Sequence, residues 1–258
     1  MRSLVQSLRG SVGGAKLPTV WPSLGAIHAE FRTGELSLLA GQPGAGKSSV
    51  ALIAALRMKV PTLYICADTA AHTMIVRVLA ALNATDQSEV SDWLDRAKPE
   101  QVKAALRSSD HIRWVFDSSP SLNDIDLELS AYEEVYGYDP TLIVVDNLID
   151  VADGDDEFSA GRKVMKELKF LARDTGAAVL VLHHTTEAHF VADGRAPARA
   201  SILGKDTRLP ALVLTCHTHS DGFMAVAVVK NRYGPADPSG GSPVFLSFDP
   251  AKMILKEV

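Results

Sequence analysis

Eight consecutive residues, Gly41-Gln42-Pro43-Gly44-Ala45-Gly46-Lys47-Ser48, have the spacing G-x-x-x-x-G-K-[ST]. Glycines at these positions let the backbone turn tightly, so that its N–H groups converge on a phosphate. A helix beginning at Lys47 adds the positive end of its dipole to the same point. Lys47 would reach the β- and γ-phosphates of a nucleotide, and the Ser48 hydroxyl would ligate Mg²⁺. Ser49 follows at the same junction. A chance Gly-rich turn is the competing reading, and the flanking apolar strand and helical pattern weigh against it. A second chemical element lies about a hundred residues on. Leu142-Ile143-Val144-Val145-Asp146 is an apolar run ending in an acid, the form of a Mg²⁺-holding carboxylate in nucleotide hydrolases. ATP and Mg²⁺ are therefore the expected ligands.

Three further groups of residues could join this chemistry. Asp68 ends another apolar run, where a carboxylate could orient and deprotonate water; its alternative role is to cap the helix that follows. His183 and His184 end a third run. Adjacent strand residues point to opposite faces, so one imidazole should face the nucleotide, and His184 is the expected one. Lys230 and Arg232 stand two apart at the end of a strand and share a side, which suits stabilisation of charge on a phosphate.

The elements that must position these residues are legible as alternating patterns. Strands are expected at Glu35–Ala40, Pro61–Cys66, His111–Phe116, Thr141–Asp146, Ala178–His183 and Ala211–Cys216. Helices are expected at Ser48–Lys59, Ala71–Leu82, Pro99–Ser108, Leu122–Tyr136 and Phe158–Thr175. Apolar strands alternating with helices imply an α/β fold, with a mostly parallel sheet covered on both faces. After Ala211 the pattern changes to Met224–Lys230, Val244–Asp249 and Met253–Glu257 without helices, so an antiparallel hairpin or meander should close the sheet. Residues 1–20 read as an N-terminal arm and linker, and 21–258 as one domain. Within the arm, Leu4, Val5 and Leu8 form an apolar stripe at helical spacing.

Composition narrows the classes. The chain has 258 residues, 47% hydrophobic and 22% charged, which suits a globular protein and excludes disordered and fibrous ones. Its net charge is −5, so any nucleic acid must meet a local basic surface. Two cysteines, Cys66 and Cys216, sit in apolar runs and read as core thiols of a reducing compartment. With no apolar stretch of membrane-spanning length and no apolar leader, a cytoplasmic protein is expected.

Several segments resemble those of RecA-fold ATPases, and within them the DnaB- and RepA-type hexameric helicases. Phe31-Arg32-Thr33-Gly34-Glu35-Leu36 looks like the lead-in to their first strand. Thr62–Asp68 is similar to the segment carrying the catalytic glutamate. The strand ending at His184 looks like the one holding a γ-phosphate sensor, and Lys230-Asn231-Arg232-Tyr233-Gly234 matches their K-x-R-x-G element. The resemblance implies a homo-oligomer, most readily a hexameric ring, in which Lys230 and Arg232 enter the neighbouring subunit's ATP site. Asp68 stands where the family has Glu, shorter by ~1.5 Å, which implies slow turnover.

The resemblance also makes the Ala- and Gly-rich segment 189–208, with Arg195, Arg199, Lys205 and Arg208, a channel loop for single-stranded DNA. A solvated loop is an equal alternative from the residues alone. The acidic run Asp150, Asp153, Asp155, Asp156 and Glu157 reads first as the charged start of a helix, and second as a nuclease-like metal site. The function expected is a DnaB-like helicase or translocase in DNA replication or recombination. The rival functions are a RecA-like recombination or strand-annealing protein and a KaiC-like ATPase switch.

Overall fold

The computed structural model describes residues 14–151, 157–186, 194–205 and 207–258. The apolar stripe at Met1–Arg9 and the acids Asp153, Asp155 and Asp156 lie outside the described residues, as does the Lys205 side chain.

Among the described residues, nine strands form one mixed sheet. In chain order they are β1 (Leu36–Gly41), β2 (Thr62–Cys66), β3 (Ile112–Val115), β4 (Leu142–Asp146), β5 (Ala178–His184), β6 (Leu212–Thr218), β7 (Phe223–Asn231), β8 (Val244–Asp249) and β9 (Ile254–Glu257). Their spatial order is β3-β2-β4-β5-β1-β6-β7-β8-β9. The first six run parallel, and β7, β8 and β9 continue antiparallel. Strands β1, β2 and β4 are buried throughout, which is why they read as unbroken apolar runs rather than alternating ones.

Alternate strand residues serve two cores. Leu39, Tyr64, Val144, Leu180 and Leu214 face helices α2 (Lys47–Met58) and α3 (Ala71–Asn83). Leu38, Ile143, Val145, Val179 and Val213 face α6 (Leu122–Tyr136) and α7 (Glu157–Thr175). In α7, Val164, Met165, Leu168 and Ala172 are fully buried, as their helical spacing requires. Three short helices complete the described set: α1 (Pro22–Ala26), α4 (Gln87–Leu94) and α5 (Pro99–Leu106). Neither α1 nor α4 was expected from periodicity. The first is a single turn after a proline, and α4 buries only Val90, so neither gives a repeating apolar face. No helix among the described residues is long and apolar enough to cross a membrane.

Residues ahead of the domain are tied down from Gly14 onward. Gly14 N–H donates to Thr33 O at 2.7 Å and Leu17 N–H to Phe31 O at 2.9 Å, while Leu17 and Trp21 are buried in the first core. The segment after β5 is also anchored where it is described. Ala196 N–H donates to Gly240 O, Arg199 N–H to Pro238 O, and Thr215 Oγ1 to Pro197 O at 2.6 Å.

Gly240 is the tightest point of that anchor. Its φ is +69°, and a Cβ there would lie 2.3 Å from Ala196 O and 2.8 Å from Pro197 O. Both obstacles are backbone, so no rotamer change relieves them. Gly240→Ala should cost at least about 1–2 kcal/mol from the left-handed conformation alone. The expected readout is a melting temperature lower by several degrees, together with faster protease cleavage near Arg195 and Arg199. An unchanged melting curve would count against this anchoring.

Candidate nucleotide site

The phosphate loop leaves β1 and enters α2 at the carboxyl ends of the parallel strands, where open α/β sheets bind ligands. Its first glycine is dictated by a neighbouring strand, because a Cβ on Gly41 would lie 2.8 Å from Cys216 O on β6. Beyond it a cleft of about 350 Å³ opens, lined by Lys47, Ser48, Asp68, Arg77, Asp146 and His184 among others. Residues from β1, β2, β4 and β5 that are scattered over the sequence thus meet in one place.

Lys47 is almost wholly buried. Its Nζ donates to Gly41 O at 3.1 Å and Gln42 O at 3.0 Å, and lies 3.4 Å from His184 Nδ1. Burial pushes its ammonium below the usual lysine range, opposed by the nearby carboxylates of Asp146 and Asp68. His184 is likewise lowered, first by burial and then by Lys47, so near neutral pH its imidazole is uncharged and can accept a hydrogen bond. His183, on the opposite face of β5, places Nε2 3.1 Å from Leu203 O and so braces the segment after the strand.

Asp146 is buried at the tip of β4. Ser48 Oγ donates to its Oδ1 at 3.1 Å, and Tyr64 OH donates to its Oδ2 at 3.2 Å. Burial raises its carboxyl above the usual range, while these two donors hold it down. A hydroxyl and a carboxylate brought together at the start of a phosphate-binding helix are hard oxygen ligands, and they fit Mg²⁺. The Asp146 carbonyl also accepts from the N–H groups of Ala67 and Asp68. That contact sets the tip of β2 beside the site. Asp68 is exposed on the cleft wall, and α3 begins only at Ala71 with Ala70 as its cap, so the Asp68 side chain is not used as a cap.

Lys230 and Arg232 lie elsewhere. Lys230 pairs with Val213, and Val213 with Leu38, which places β7's end beside the start of β1. Arg232 Nη1 donates to both Glu35 oxygens at 3.0 Å, and Glu35 immediately precedes β1. Six residue steps of strand lead from Glu35 to Gly41, roughly 20 Å at the usual rise. Lys230 Nζ donates to the carbonyls of Thr207, Arg208 and Pro210 at 2.6–2.9 Å. Burial lowers it to about 8, helped by Arg232, Arg199 and Lys169.

Arg195, Arg199 and Arg208 are all exposed, but strung along the sheet rather than gathered. Arg195 O accepts from His219, just beyond the carboxyl end of β6, whereas Arg208 O accepts from Lys230 at the other end. Among the described residues no cluster of three or more His, Cys, Asp or Glu could hold a metal ion. Both cysteines are free and buried. Tyr64, Arg77 and Glu35 were not expected at functional positions. A tyrosine inside an apolar strand was the available signal for the first; nothing local marked the other two.

Residues 22–189 match the family described as an AAA domain (AAA_25), well over half of the chain. The chain belongs to that family. It is 38% identical over 249 residues to the Gene 65 protein of Mycobacterium phage L5, covering 93% of this chain and 92% of that protein. It is 39% identical over 219 residues to the Gene 65 protein of Mycobacterium phage D29, covering 82% and 94%. Among solved structures, one ATPase domain aligns with a TM-score of 0.79 at 16% identity, over 98% of this chain and 94% of that one. A DnaB-like replicative helicase, described with its primase interactions, aligns with a TM-score of 0.81 at 15% identity. That alignment spans 95% of this chain and 64% of the helicase. The fold of this AAA-family chain is therefore the RecA-type core of DnaB-like helicases.

Tyr64→Phe tests the carboxylate's support. It removes one donor from buried Asp146 without changing volume elsewhere, at a cost of about 1.5–3 kcal/mol. For a chain of this size that is a fall in melting temperature of roughly 3–12 °C. Unchanged thermal stability and unchanged Mg²⁺-dependent nucleotide affinity would show that Tyr64 does not support Asp146.

Proposed function

We propose that the chain is the ATP-hydrolysing subunit of a homo-oligomeric ring, most readily a hexamer, that moves on single-stranded DNA as a DnaB-like helicase or translocase. The observation that carries this reading is the separation of about 20 Å between the phosphate loop and Arg232. Within one subunit the two cannot act on one phosphate. Between adjacent subunits they can, and the likeness to helicase cores favours a ring.

In this mechanism Lys47 leaves the carbonyls of Gly41 and Gln42 and turns to the β- and γ-phosphates. Ser48 and Asp146 would hold Mg²⁺, which would supply charge neutralisation at the phosphate oxygens. Asp68 orients the attacking water and accepts its proton. His184 donates its ring N–H to a γ-phosphate oxygen and reports the loss of that phosphate to the segment beginning at Thr185. Arg232 of the adjacent subunit stabilises the charge of the transition state. Lys230 is held by three carbonyls and steadies the end of β7, which leaves Arg232 as the reaching group. The exposed Arg195, Arg199 and Arg208, with Lys205, would hold the backbone of single-stranded DNA.

Lys47→Ala should lower ATP turnover on the order of 10³-fold without unfolding the protein. Asp68→Asn should lose turnover but keep nucleotide binding, whereas Asp68→Glu should retain or raise it. Wild-type turnover in Lys47→Ala, or in Asp68→Asn, would remove that residue from the mechanism. Single-stranded DNA should stimulate hydrolysis, and forked DNA should be separated. Stimulation without strand separation would favour an ATP-switched recombination or annealing protein. Co-expressed Lys47→Ala and Arg232→Ala subunits should recover part of the activity each lacks alone. No recovery in rings shown to be mixed would end the shared-site mechanism.

A further inference from the structure

The reaching arginine is not free at the end of its strand. Glu35 accepts from Arg232 Nη1 with both oxygens and from the hydroxyl of Tyr233 with Oε1. Tyr233 is in turn covered by Arg32, whose guanidinium carbon lies 4.4 Å from the ring centroid. Arg32 donates to Gly14 O at 3.1 Å and to Glu30 at 3.4 Å, and Glu30 also pairs with Lys16 at 2.8 Å. The turn after β7 is pinned to the same segment, since Asn231 Nδ2 donates to His28 O at 2.9 Å. Residues 28–35 thus form a bed on which the end of β7 rests.

We propose that Glu35 is a positioning residue for Arg232, holding its guanidinium extended so that it enters the adjacent subunit's ATP site already oriented. This rests on the reading that Arg232 acts across a subunit boundary. The Glu35–Arg232 contact is 42% exposed on the arginine side, where ion pairs add little to stability. Its effect is instead on freedom. An arginine side chain has four rotatable bonds and loses substantial entropy on being fixed. Here that loss is met before the neighbour arrives. Both Glu35 oxygens engage one guanidinium nitrogen, Nη1, of a group carrying five N–H donors in all, so the fork can still take a phosphate oxygen. A carboxylate that neutralised the whole fork would instead withhold it.

The test uses the full chain as assembled, with ATP as the probe. Glu35→Gln should lower kcat roughly tenfold while changing KM for ATP less than about twofold, the pattern of a transition-state interaction that is less well ordered. Tyr233→Phe, which keeps every charge, should lose about two- to fivefold. Glu35→Gln subunits co-expressed with Lys47→Ala subunits should regain activity, because one supplies a sound pocket and the other a sound finger. Wild-type kcat in both variants, while Arg232→Ala is inactive, would overturn the positioning role and leave the shared site intact. A loss in Glu35→Gln that mixing does not restore would also overturn it, since the defect would then lie in that subunit's own pocket. If Glu35→Gln fails to fold, Tyr233→Phe decides by the same mixing experiment. Full activity in Arg232→Ala would instead overturn the shared-site reading itself.

Discussion

Asp146 is a carboxylate placed where water cannot solvate it, and the surrounding structure is arranged around that cost. Burying an ion without partners is prohibitive, so each of its oxygens must meet a donor. Ser48 from the first turn of α2 meets one, and Tyr64 from β2 meets the other. Its main-chain carbonyl binds the N–H groups that turn the chain out of β2. One residue therefore fixes the phosphate-binding helix, the neighbouring strand and the wall bearing Asp68. The same desolvation that raises its carboxyl makes it a strong ligand for a hard cation, because charge in a dry site is poorly screened.

The sheet also acts as a ruler. Parallel strands collect Gly41, Asp68, Asp146 and His184 at their carboxyl ends, whereas the antiparallel turn after β6 returns the chain to the opposite end. Lys230 and Arg232 are carried there by direction, not by distance in sequence. If Arg232 acts across a subunit boundary, as proposed, a phosphate site at one end of the core and a fixed cation at the other would be complementary between two copies of the chain. Such a contact would be head to tail, and head-to-tail contacts close into rings or continue as filaments depending on the rotation between copies. Where it is described, the segment after β5 is tethered to Gly240 and Pro238.

Much of this was readable in the order of residues. Loop, helix and strand at 36–58 are local chemistry: glycines that turn, a helix that begins at Lys47, and an apolar run too long to be a surface strand. The parallel sheet followed from buried runs alternating with helical periods, and the two-residue repeat of a strand required that only one of His183 and His184 face the site. Periodicity could not find α4, whose one buried residue gives no repeat. The capping role open to Asp68 was equally legible and is not used, because the pull of the Asp146 carbonyl on two successive N–H groups sets where the chain leaves β2.

What the sequence by itself supplied is the list of candidate site groups, since their types and local spacing are properties of short segments. What only the tertiary structure decided is which of them meet. Gly41 must lack a side chain because a carbonyl of β6, 175 residues away, passes against it. Tyr64 serves Asp146 because β2 and β4 are neighbours in register, and Glu35 serves Arg232 because an antiparallel strand ends where the first parallel strand starts. Such pairings depend on strand order and direction, which the packing of two cores settles for the chain as a whole and no short segment encodes.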